Sequence, residues 1–110
     1  MQTLLQETIY LGDLGLSDAD LARATGAARS TARGWLNETS APTGVRAERL
    51  IELATMAERL ERLIERDHIA VWLRKPVPFL DDDKPLDVIG RGEYRRVATV
   101  ISGLEDPGAF

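Results

Sequence analysis

The sequence predicts an all-α protein, and three observations carry that prediction. Thr3 stands three residues before Gln6 and Ser17 three before Asp20, the spacing at which a hydroxyl and a third-position side chain cap a helix start. Apolar residues recur every three or four positions through most of the chain. No segment alternates as a half-buried strand would, and residues 97–101 hold the only β-branched cluster.

The elements follow in order. Leu4, Leu5, Thr8, Ile9 and Leu11 mark a first helix that ends across Gly12 and Gly15. A second runs from Asp18 to Thr25 with Leu21 and Ala22 facing inward, and Gly26 stops it. A third starts near Ala28 and ends around Asn37, with Trp35 and Leu36 at its end, and Pro42 marks a boundary. From Thr43 a long helix carries Leu50, Leu53, Ala54, Ala57, Leu60, Ile64 and Val71 on one stripe, with Glu58 and Arg62 as an i,i+4 pair. Two readings stand for its end: it runs on to Arg74, or Asp67 caps a fresh helix holding Ile69, Trp72 and Leu73. Pro76 and Pro78 close this stretch and Phe79 to Lys84 reads as loop. Lys84-Pro85 opens a short helix, since proline in a first turn has no N–H to leave unpaired. Glu93 to Ser102 makes a last helix, with Val97, Val100, Ile101 and Leu104 apolar, and Glu105 to Phe110 reads as irregular. The pattern divides into residues 1–42 and a second unit over 43–110, which joins a long connecting helix to a small helical domain.

Composition excludes whole classes of function. A chain of 110 residues buries roughly two-thirds of its unfolded surface, enough for a modest core. Hydrophobic content of 44% and charged content of 29% read as globular. With no cysteine there is no disulfide framework, thiolate zinc site or cysteine nucleophile. The apolar runs are too short to span a bilayer and Met1 opens no secretory leader, so a soluble cytoplasmic protein is expected. A net charge of −4 argues against coating nucleic acid by bulk electrostatics, while leaving room for a local basic face.

Catalytic chemistry finds little purchase. His68 is the only histidine, and Val71 and Trp72 occupy its i+3 and i+4 positions, so no carboxylate joins it at metal-ligand spacing. Asp81-Asp82-Asp83 lacks the glycine and terminal glutamate of a calcium loop and reads as a solvated turn. No phosphate loop, dinucleotide fingerprint or nucleophile elbow is present. The expectation is a protein that is not an enzyme and holds no cofactor or metal.

Residues 14–42, LGLSDADLARATGAARSTARGWLNETSAP, hold a capped helix, a glycine turn and a second helix with small polar and basic side chains. These are the parts of a helix-turn-helix, and their order resembles the Xre-type helix-turn-helix of repressors and antitoxins. Arg29, Ser30, Thr31, Arg33 and Asn37 are the outward candidates for DNA contact. Arginine can take guanine O6 and N7 together, asparagine can pair with adenine, and hydroxyls suit phosphates or base edges. Residues 1–40 hold Arg23, Arg29 and Arg33 against five carboxylates, so a lone copy makes few phosphate contacts. Operator binding is therefore expected only from a dimer or a larger complex. An ordinary helical hairpin with a polar face is the alternative.

The second unit reads RLIELATMAERLERL, RDHIAVWLRKP, FLDDDKPLDVI, then GEYRRV. With Trp72, Pro76, Leu80, Lys84-Pro85, Asp87, Gly92, Tyr94, Arg96 and Val97 in order, residues 14 to 110 resemble the Xre/MbcA/ParS antitoxins. The acidic run Asp81–Asp83 departs from the fuller glycine-rich link of longer members, and the lead before the helix-turn-helix is short. The resemblance implies an antitoxin whose C-terminal domain and tail cover the NAD pocket of a RES-domain toxin, which destroys NAD by phosphorolysis or hydrolysis. It also implies that the helix-turn-helix represses the operon, in a homo-oligomer within a hetero-oligomeric complex. The residues it points to for toxin binding are Lys84, Arg91, Tyr94, Arg95, Arg96, Leu104, Gly108 and Phe110. For the three arginines a solvated face is an equal alternative, and Trp72 and Leu80 read as core. Lysine and arginine are expected at the rim, the glycine-aromatic tail in the cleft, and Glu105 and Asp106 at phosphate subsites. A stand-alone helix-turn-helix regulator and a bare interaction domain remain as rival readings.

Overall fold

The computed structural model describes residues 3–106 and Gly108. Among the described residues seven α-helices follow one another: α1 (Leu4–Asp13), α2 (Asp18–Thr25), α3 (Arg29–Leu36), α4 (Gly44–Glu61), α5 (Ile69–Arg74), α6 (Pro85–Gly90) and α7 (Tyr94–Glu105). Single 3₁₀ turns lie at Arg66–His68 and Pro78–Leu80. Among the described residues the one β-type pairing is an antiparallel bridge between Val77 and Asp83, which closes the loop before α6. The fold is all-α, as expected.

Both capping boxes form. Thr3 Oγ1 accepts the Gln6 N–H while Gln6 accepts the Thr3 N–H, and Ser17 and Asp20 do the same for α2. Gly26 ends α2 in the left-handed region at φ 81°, where a side chain would be strained. Pro85 sits in the first turn of α6.

Helix α4 is the axle, packed against α1, α2, α5, α6 and α7. Its Leu50, Leu53, Ala54, Ala57 and Leu60 join Leu11, Leu21, Ala32 and Trp35 on one side and Ile69, Leu73, Leu86, Ile89, Val97 and Ile101 on the other, in one continuous core. On α2 the inward residues are Leu21, Ala24 and Thr25, and Ala22 is only half-buried. Leu5 and Ile9 stay on the outer face of α1.

The long helix does break. Glu61 ends α4, with its carboxylate accepting the Tyr10 hydroxyl at 2.8 Å and pairing with Arg66. The expected second helix holds Ile69, Trp72 and Leu73, but Asp67 does not cap it. Asp67 lies inside the 3₁₀ turn, its carboxylate 3.3 Å from His68 Nδ1, and α5 starts at Ile69 without a side-chain cap. The break also resets the helical phase, which is why Val71 is exposed rather than on the apolar stripe.

Helix α2 is held to the C-terminal helices at three points. Arg74 of α5 donates through Nε to Asp20 Oδ1 at 3.0 Å, and through Nη2 to Asp20 Oδ2 and to the Gly15 carbonyl at 2.9 Å. Arg23 pairs with Asp87 of α6 at 3.2 Å. Gly90 lies so close that a Cβ would overlap the Arg23 carbonyl oxygen.

Two stability predictions follow from these joints. Burial pushes the Asp20 carboxyl up, but the Arg74 and Ser17 hydrogen bonds more than offset it and hold the group below the ordinary aspartate range. A depressed folded pKa stabilises the protein above the unfolded value near ~4 and loses that contribution as pH falls through the folded value. D20N should therefore lose about 1–2 kcal/mol at pH 7 by urea unfolding, and the gap to the native chain should narrow as pH falls below the ordinary aspartate range. G90A must push α6 away from α2 and should lower the unfolding free energy by about 1–3 kcal/mol, seen as a lower urea midpoint with an unchanged m-value.

Candidate functional site

The first candidate surface is the outer face of α2 and α3. The left-handed Gly26 followed by Ala27 and Ala28 turns the chain through three residues, with Ala27 packed inside. Ala32 and Trp35 anchor α3 to the core and leave Arg29, Ser30 and Arg33 exposed on its outward side. Thr31 is half-buried, and Asn37 is exposed at the C-cap rather than inside the helix.

A residue that the sequence pattern did not single out organises this face. Asp18, the first residue of α2, accepts Arg33 Nε at 2.9 Å on one oxygen and Arg29 Nη2 at 3.2 Å and Nε at 3.4 Å on the other. The Arg33 hydrogen bond holds the Asp18 carboxyl below its ordinary range; slight burial opposes this and the Arg29 bond adds to it. The contacts join residues 11 and 15 apart, so no local spacing could have announced them.

The second surface lies around α6, the Pro78–Leu80 turn and α7. Its arginines alternate with carboxylates. Arg91 pairs with Asp83 at 2.8 Å and with Glu93 at 3.6 Å, and Arg96 pairs with Glu93 at 2.7 Å and Asp81 at 3.1 Å. The Arg96 hydrogen bond holds the Glu93 carboxyl below its ordinary range. Asp81 and Asp82 occupy the left-handed region at φ 57° and 63°, which aspartate tolerates better than most residues. The acidic run is thus a turn that meets the arginines of α7 and of the α6 C-cap. Arg95 is exposed and lies over the Tyr94 ring at 5.8 Å, with no carboxylate partner among the described residues. Tyr94 and Lys84 are half-buried, Tyr94 packing on the core and Lys84 standing at the start of α6.

Phe79 was passed over in the sequence as loop, yet its side chain is 78% exposed, the most exposed large apolar group described. Beside it a groove of ≈ 210 Å³ is lined by Arg96, Thr99 and Val100. Leu104 projects from the next turn of α7 and is 46% exposed. Leu80, next to Phe79 in the chain, is fully buried, as expected. Trp72 is only half-buried and lines an open cleft of ≈ 770 Å³ at the α4–α5 elbow, together with Arg62, Arg66 and Lys75.

The tail is where expectation and structure part. Helix α7 runs to Glu105, three residues further than the pattern suggested, and so brings Glu105 beside α4. There Arg59 donates to Glu105 Oε1 at 2.5 Å and to the Ser102 hydroxyl at 3.0 Å, and that bond holds the carboxyl below its ordinary range. Glu105 is therefore occupied within the chain rather than poised for a phosphate subsite. Gly108 is exposed, and Phe110 lies outside the described residues.

The contrast between Phe79 and Leu80 gives a direct check. By urea unfolding, L80A should cost about 2–5 kcal/mol, whereas F79S should change the unfolding free energy by no more than about 0.5 kcal/mol.

Comparison with known proteins adds to this geometry. No family model matches the chain. It is 32% identical over 97 residues to the mycobacterial cidal antitoxin MbcA of Mycobacterium tuberculosis and of Mycobacterium bovis, which spans 88% of this chain and 85% of each relative. One chain of the crystal structure of the M. tuberculosis MbcT–MbcA toxin–antitoxin complex superposes with a TM-score of 0.80 at 29% identity, covering 100% of this chain and 99% of that one.

Proposed function

The chain belongs to the MbcA family of antitoxins, and from that premise we propose that it neutralises a RES-domain toxin by covering the toxin's NAD pocket with its C-terminal surface and tail. The observation that carries this reading is the end-to-end superposition on a chain of a toxin–antitoxin complex, which leaves neither half of the fold unmatched. The chain acts here as a protein inhibitor, not as an enzyme, and the toxin supplies the chemistry. The reading places it in the cytoplasm, where the NAD it protects is found. No helix among the described residues is long and apolar enough to cross a membrane.

The C-terminal surface has the composition of a contact face. Aromatic and arginine side chains anchor protein interfaces because they bury large areas and bond directionally. Phe79 and Leu104 offer exposed apolar area, Arg95 offers an exposed guanidinium over the Tyr94 ring, and Arg91 and Arg96 are held in place by their carboxylates. A cleft shaped for NAD phosphates accepts cations poorly at its centre, so Lys84, Arg91, Arg95 and Arg96 belong at the rim, with the Tyr94 ring beneath Arg95 as a contact residue. The segment containing Gly108 and Phe110 is then the part narrow enough to enter, with Asp106 as its remaining acidic group.

The α2–α3 face serves operator DNA in the same reading, through Arg29, Ser30, Thr31, Arg33 and Asn37. With few phosphate-contacting cations on one copy, binding needs a dimer or the toxin complex. This makes autorepression depend on assembly.

Two variants separate the surfaces. R33A/N37A should lose retention of promoter DNA while protecting NAD fully. F79D/R95E should weaken toxin binding by about 30-fold or more, the effect of losing one interface anchor, with helix content and DNA retention unchanged. Loss of NAD protection in R33A/N37A, with the fold intact by circular dichroism, would refute this division of labour. Full protection by F79D/R95E would move the toxin contact elsewhere on the chain.

A further inference from the structure

We propose that Asp18 is a positioning residue for base readout, aiming the guanidinium groups of Arg29 and Arg33 outward so that Arg33 presents its fork to a guanine edge. This inference rests on the DNA-binding reading above and gives it chemical detail. Both carboxylate oxygens of Asp18 are in use, one for each arginine. Among the described residues Arg33 is engaged only through Nε, on the flank of the guanidinium. Its two Nη groups, which together match guanine O6 and N7, stay outside that bond, and the side chain is 59% exposed. Arg29 is engaged through Nε and Nη2, which leaves Nη1.

The carboxylate is the fixed partner. Asp18 has a short side chain at the first position of α2, 15% exposed, on a helix secured by its capping box and by Arg74. The arginines are long and solvated, and would otherwise sample many rotamers. Ordering them before contact removes part of the entropy lost on binding. The same carboxylate lies close to where phosphates would pass, so it repels any duplex that offers no matching base edge. Asp18 thus raises discrimination and lowers indiscriminate affinity. An acidic chain with three arginines in its first 40 residues needs such a device more than a basic one does.

The variant D18N keeps the shape, removes the charge and can no longer accept from both arginines. The full chain, with its toxin where one copurifies, is used to select from a pool of short DNA duplexes of random sequence. The unselected pool is then titrated at low and high salt. The native chain should enrich a motif with a fixed guanine. In D18N that guanine preference should fall about 5- to 10-fold. Affinity of D18N for the unselected pool should rise several-fold at low salt and converge with the native value at high salt. R33K, which keeps the charge but lacks the fork, should lose the guanine preference without the rise in pool affinity. An unchanged motif and unchanged pool affinity in D18N overturn the inference, as does a guanine preference that survives R33K. A native chain that enriches no sequence and leaves the pool unbound overturns the DNA-binding reading itself, and this inference with it.

Discussion

Asp20 accepts the Arg74 fork from α5 while completing the capping box that starts α2, so one nearly buried carboxylate both begins a helix and ties it to a partner 54 residues along the chain. Its lone pairs are answered by a guanidinium, a backbone N–H and a hydroxyl, the condition under which a buried charge stabilises rather than costs. Arg74 also bonds the Gly15 carbonyl, which fixes the loop leading into α2. The Arg23–Asp87 pair and the close approach of Gly90 extend the joint along the helix. Helix α2 is thereby shared. One side carries the α2–α3 face through Asp18, and the other bears on the helices that build the C-terminal surface. The geometry between the two surfaces is set by contacts within the chain.

Both surfaces solve one electrostatic problem in the same way. The chain is acidic overall, and the partners proposed for it are a polyanion and a protein with an anion-binding pocket. Bulk attraction cannot supply the affinity. On each surface, arginines are held by nearby carboxylates: Arg29 and Arg33 by Asp18, Arg91 by Asp83, and Arg96 by Glu93 and Asp81. Such pairs add little to stability at exposed sites. What they provide is orientation, because a planar guanidinium with one edge bonded presents its remaining donors in a defined direction.

Signals confined to one turn were legible in the sequence. The capping boxes at Thr3 and Ser17, the glycine after Thr25 and the proline of α6 each act within four residues, and each appears as the pattern implies. The α4–α5 break was legible as an alternative, but its cause was not. Tyr10 and Arg66 converge on Glu61, and that convergence exists only once α1 packs on α4. Ala22 and Ala24 could not be ranked by hydrophobicity, and the packing of α3, α4 and α6 around α2 decides which is buried. At the candidate surfaces, residue types were read correctly and partners were not. Arginines invited contact with DNA or protein, while Asp18, Asp81 and Asp83, which hold them, are distant in sequence or lie in a turn that reads as mere solvation; only Glu93, three residues before Arg96, stands at a local spacing. Phe79 escaped notice because Phe79 to Lys84 reads as loop, and only the built turn separates a buried Leu80 from an exposed Phe79.

The most direct test of the account is NAD loss caused by the protein that copurifies with the tagged chain from its host. The account predicts that this partner, once separated, consumes NAD, and that adding the chain back in equimolar amount stops the loss. A partner that leaves NAD untouched, or one whose NAD consumption continues with the chain in excess, would contradict it.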